Sequence, residues 1–64
     1  MWTTIYVAFG RKQVKAIEEL AQNEGFYVKI QYFGKEGNVE MFEIITLESE
    51  ANEFYEVLLE NNMI

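Results

Sequence analysis

The chain has 64 residues, half of them apolar and 16% aromatic, with no Cys, no His and no Pro. That length allows one small domain, taken as residues 1–64, and half-apolar composition argues against disorder. Without Cys or His the usual zinc, iron–sulfur and haem ligand sets and any disulfide framework are excluded, so no metal or cofactor is expected. The longest apolar run, Ile5–Phe9, falls far short of the ~20 residues of a membrane span, and no signal-peptide pattern precedes it. The chain therefore reads as a cytoplasmic protein.

The net charge of −6 is unevenly spread. All five cations, Arg11, Lys12, Lys15, Lys29 and Lys35, lie in the first 35 residues against three glutamates; the other eight glutamates follow with no cation among them. Such a chain repels phosphate backbones and has no long basic stripe, so nucleic acid is not expected as a partner. The glutamate excess reads first as a solvated helix face that aids solubility.

Thr3–Phe9 is β-branched and aromatic, which suits a pleated surface, and Gly10 ends it. From Arg11 to Glu24 the apolar positions Val14, Ile17, Leu20 and Ala21 fall on one helix face, and Gly25 stands where a left-handed cap is wanted. Phe26–Phe33 alternates as a second strand, Gly34–Asn38 as its turn and Val39–Leu47 as a third, together a β-hairpin. Pairing Phe33 with Val39 sets Ile30 opposite Phe42, Val28 opposite Ile44 and Lys29 opposite Glu43. A one-residue slip would bury Glu43 without a partner. Ser49 is expected to cap a second helix. Its buried stripe is Ala51, Phe54, Tyr55, Leu58 and Met63 or Asn62; Glu53, Glu56 and Glu60 lie outside, and Asn61-Asn62 stops it.

The predicted order is β-α-β-β-α, an α+β two-layer sandwich. A right-handed crossover puts both helices on one face of a three-stranded sheet ordered 1-3-2, a ferredoxin-like plan lacking its last strand. The face away from the helices is then expected to carry Trp2, Tyr6, Tyr27, Phe33, Val39, Met41 and Ile45, with Thr4, Lys29, Gln31 and Glu43 as its polar members. A contiguous apolar patch rich in aromatics and Met is the composition of interface cores. If the first strand faces the other way, Ile5, Val7 and Phe9 replace Tyr6 and the face stays apolar. The first strand is apolar on both sides, which suits a covered strand better than an open edge. A homodimer is therefore expected, through this face or through the edge of the first strand.

One site breaks a local rule. Arg11, Lys12 and Lys15 crowd the start of the first helix, where the dipole prefers anions, and no acidic residue shares that turn. With Gly10 before them, they form a candidate site for a phosphate or carboxylate, or for an acidic protein partner. Gly10-Arg11-Lys12 lacks the spacing of a P-loop. Catalysis has little to use: no His or Cys, one Ser better read as a cap, and glutamates on outer faces or turns apart from Glu40. No enzymatic activity is expected. RNA stacking on the sheet aromatics, as in RRM domains, is disfavoured by the charge and by the lack of their signature motif.

The Thr4-Ile5-Tyr6-Val7-Ala8 opening resembles a family of very short bacterial proteins. So do the Glu24-Gly25-Phe26-Tyr27-Val28 junction and the ending built from Glu48-Ser49-Glu50 and Glu56-Val57-Leu58-Leu59. Its members are described as prokaryotic signal-transducing proteins with a ferredoxin-like, PII-like fold. The resemblance implies a βαββα regulatory or ligand-sensing module. Two features depart from it: Phe9-Gly10 stands where the family often has a polar cap, and Gly34–Asn38 is far shorter than the long loop of PII proteins proper. Nucleotide binding is therefore not implied.

Overall fold

A computed structural model describes all residues 1–64. The elements run β1 (Trp2–Phe9), α1 (Arg11–Glu24), β2 (Val28–Glu36), β3 (Val39–Leu47), a 3₁₀ turn (Glu48–Glu50) and α2 (Ala51–Glu60). The three strands form one antiparallel sheet in the order β1-β3-β2, so the expected ferredoxin-like βαββα sandwich is the observed one.

The core lies between the sheet and the helices. Ala8, Phe42 and Ile44 come from the strands, Val14, Ile17 and Ala21 from α1, and Phe54 and Leu58 from α2. Thr46 is the one buried polar residue, and its hydroxyl donates to the Tyr27 carbonyl at 2.8 Å, which removes the penalty of burying it. Only nine of 64 residues are buried, a core small enough that each large side chain in it matters.

Both helices end in the same device. At the end of α1, Gly25 takes φ 80°, its N–H donates to Gln22 and the Phe26 N–H donates to Ala21. This is the Schellman arrangement, and it delivers Phe26 onto Phe54 with ring centroids 4.8 Å apart. At the end of α2, Asn62 takes φ 58°, its N–H donates to Leu59 and the Met63 N–H to Leu58. Asparagine tolerates this conformation because its short polar side chain finds local partners.

Several expectations need correcting. The hairpin turn is Gly37-Asn38 alone, with Glu36 opposite Val39. Gly37 has φ 62° and Asn38 is not left-handed, the pattern of a type II′ turn whose twist matches the strands. The register differs by two residues: Ile30 faces Ile44, Val28 faces Thr46 and Lys29 faces Ile45. An even shift keeps every side chain on its face, so the facing rule could not distinguish the two registers. Phe26 caps α1 rather than opening β2. Ser49 caps nothing, because the chain enters α2 through the 3₁₀ turn and no side-chain cap forms. Tyr55 is 41% exposed, and Val57 packs on the core in its place.

Bulges set the faces of the edge strands. In β1 the register shifts at Ile5, so Trp2 and Thr4 point away from the helices while Tyr6 and Ala8 point toward them. Tyr6 packs against the core, and its hydroxyl lies 3.5 Å from Gln13 Nε2 of α1. Tyr6 therefore does not belong to the outer face, where Val7 and Phe9 take its place. In β2 a second shift falls at Phe33.

Candidate functional site

Two regions follow from the sequence, the start of α1 and the outer sheet face. Gly10 joins β1 to α1 with φ 85°, and its N–H donates to the Glu40 carbonyl at 2.8 Å, which ties the helix start to the end of β3. α1 has no side-chain cap at Gly10 and no acidic residue in its first turn. The missing anion comes from another strand. The Arg11 guanidinium donates through Nε to Glu40 Oε1 at 2.8 Å and through a terminal nitrogen to Oε2 at 3.4 Å.

Electrostatics follow this two-pronged contact. The hydrogen bond and charge of Glu40 raise the Arg11 pKa above its ordinary value. The hydrogen bond from Arg11 holds the Glu40 carboxyl below the usual carboxylate range, against some desolvation and with help from the charges of Arg11 and Lys35. Alternation along β3 turns Glu40 to the helix side, next to the basic helix start. That parity was the available signal for the pair, and it requires looking across the fold rather than along the helix.

Lys12 and Lys15 form no ion pair, since Arg11–Glu40 is the only one in the structure. Lys15 borders a shallow cleft of about 400 Å³ between α1 and the sheet, with Arg11 and Glu18 beside it and Val14, Ile30 and Phe42 as its apolar floor. Gly10, Arg11, Lys12 and Lys15 are thus neighbours, but the best-placed cation among them already holds a carboxylate.

On the outer face, β1 contributes Trp2, Thr4, Val7 and Phe9, β2 Lys29, Gln31 and Glu36, and β3 Val39, Met41, Glu43, Ile45 and Leu47. Phe33 sits at the β2 bulge and Tyr27 just ahead of β2, both well exposed. Trp2, Phe9, Phe33 and Val39 are each 44–49% exposed, so the apolar surface is open. Three of the polar side chains on it have partners within the face. The Thr4 hydroxyl donates to Glu43 Oε2 at 3.0 Å, and Lys29 Nζ lies 4.1 Å from the centre of the Trp2 ring, a cation–π contact across β3.

No cluster of three or more His, Cys, Asp or Glu could hold a metal ion. No helix is long and apolar enough to cross a membrane. Comparison with known protein families, with curated proteins and with solved structures finds no match.

Proposed function

We infer that the protein is a non-catalytic binding module that associates with a second copy of itself through the outer face of its sheet. The observation that carries this reading is an open apolar face with only three charges, Lys29 and Glu43 in its body and Glu36 at the hairpin end, in a chain of net charge −6. Two copies meeting there bring few like charges together, and their acidic α2 helices point to opposite sides. In a two-fold arrangement Lys29 of each copy can approach Glu43 of the other. Three strands about 4.8 Å apart and eight residues long at ~3.3 Å per residue span roughly 400 Å² in projection. Two such faces bury on the order of 1,000 Å² of accessible surface, the low end for a specific dimer. The regulatory role implied by the resemblance fits such a module and rests on the residues quoted for it alone.

Edge-to-edge pairing is the weaker route to a dimer: β2 is guarded by Lys29, Lys35 and Glu36, and joining β1 to β1 sets the three glutamates of each α2 side by side. A second reading, sensing of a small anion at the α1 start, has Lys15 over the apolar cleft floor in its favour. Against it, Glu40 already occupies Arg11.

Trp2 reports on the face directly. Its emission should shift to the blue as concentration rises through the micromolar range, as the indole leaves water. Emission unchanged up to millimolar protein would count against the face.

A further inference from the structure

β1 and β2 are both edge strands, but they are protected differently. β2 carries Lys29, Lys35 and Glu36, the charges that commonly keep an edge from pairing. β1 has no charged residue from Trp2 to Phe9. Because the Gly10 N–H donates to Glu40 on β3, alternation turns the backbone of Ala8 and Tyr6 toward β3 and that of Val7 and Phe9 toward the free side. The Phe9 N–H already donates to Gln13 Oε1 at 2.8 Å, so the Val7 amide and carbonyl form the centre of the open edge.

α2 borders the same edge. The cleft residues place α1 over β2 and β3, and a right-handed crossover then places α2 over β1. Phe54 and Leu58 face the core, with Val57 on one side of their row and Tyr55 and Leu59 on the other. The winding of α2, parallel to β1, turns Val57 toward α1 and Tyr55 and Leu59 past the β1 edge. Asn52, Tyr55 and Leu59, spaced three and four apart, make an exposed uncharged stripe on a helix whose next stripe is Glu53, Glu56 and Glu60. Tyr55 and Leu59 are 41% and 49% exposed.

We propose that the β1 edge and the α2 flank together accept an extended segment of a different protein, a strand with a short alternating apolar core and lysines or arginines at its ends. Its backbone pairs with Val7, its inward apolar side chains cover Tyr55 and Leu59, and its long cationic side chains reach Glu56 and Glu60. Charge selects this occupant over a second copy. Joining β1 to the β1 of another copy sets two α2 helices side by side, each with three glutamates, and supplies no cation, because all five lie between Arg11 and Lys35. The net charge of −6 also draws a basic segment in from solution.

The probe is a short peptide of alternating valine and threonine flanked by lysine pairs, titrated onto nitrogen-labelled full-length protein, with a glutamate-flanked peptide as control. The basic peptide is expected to protect the Val7 amide from exchange, to shift Tyr55 and Leu59, and to bind more weakly as salt rises. Leu59→Glu, at an exposed site that leaves the core intact, should weaken binding about tenfold or more. Val7→Pro, which removes an edge-facing N–H that no strand of the sheet uses, should do the same. Equal binding of both peptides would overturn the proposal, and so would shifts confined to Met41 and Ile45, or binding indifferent to Leu59→Glu. A self-dimer broken by Leu59→Glu and not by Met41→Glu would show that a second copy takes the edge instead.

Discussion

Lysine placed at Tyr6 and at Val7, one at a time, separates the two possible faces of β1. Strict alternation from Trp2 and Thr4 turns Tyr6 outward and Val7 inward; the bulge at Ile5 reverses both. Tyr6 is half-buried against the core, so Tyr6→Lys loses about 1 kcal/mol of apolar burial and sets an ammonium against that core for about 1–3 kcal/mol more. Val7 lies opposite Glu43 on the outer face, where a lysine gains a cross-strand partner and the change stays within about 0.5 kcal/mol. A chain of this length holds only ~3–10 kcal/mol of stability, and its unfolding entropy makes 2 kcal/mol worth roughly 15 °C in Tm. Thermal and urea unfolding followed by circular dichroism, at concentrations where the wild type is monomeric, should show Tyr6→Lys melting at least about 15 °C lower. Val7→Lys should stay within about 4 °C of wild type. Equal losses, or a larger loss at Val7, would refute the bulge and with it the composition of the outer face.

Other expectations follow from single contacts. Gly25→Ala meets open space but must hold φ 80°, so it should cost about 1 kcal/mol, read from urea midpoints; Asn62→Gly should be neutral or slightly stabilising. Thr46→Val keeps the shape and loses the bond to the Tyr27 carbonyl, a loss of about 1 kcal/mol by the same assay. The Arg11–Glu40 pair has a pH signature. Because the folded Glu40 carboxyl lies below its unfolded value, its contribution is present above the ordinary glutamate range and is lost as pH falls through the lowered folded value. Arg11→Gln should therefore flatten that acid limb of the stability curve, and a limb unchanged by the substitution would contradict the pairing.

Periodicity was informative where one phase held along an element. Val14, Ile17 and Ala21 define the buried face of α1, and the Gly25 cap ends the helix at Glu24 as its sequence requires. The strand order follows from the short hairpin and the right-handed crossover. Information ran out at phase changes. Ile5-Tyr6-Val7-Ala8-Phe9 is apolar at every position, so nothing in it marks the bulge that turns Tyr6 to the core. Gly34 resembled a turn residue, but it follows a bulge, and Gly37 alone makes the turn. The basic start of α1 looked uncompensated because its partner, Glu40, is 29 residues away in sequence. The sparse charge of the outer face and the uncharged flank of α2 became visible only once strands and helices were placed together.

The central claim, self-association through the outer sheet face, is tested most directly by molar mass against concentration. Sedimentation equilibrium would be run on the wild type, on Met41→Glu on the central strand of that face, and on Leu59→Glu at the α2 flank. The wild type is expected to rise with concentration from the 7.6 kDa monomer to twice that mass. Met41→Glu should stay folded and monomeric, and Leu59→Glu should dimerise as the wild type does. A wild type that remains monomeric at every concentration, or a dimer that survives Met41→Glu, would contradict it.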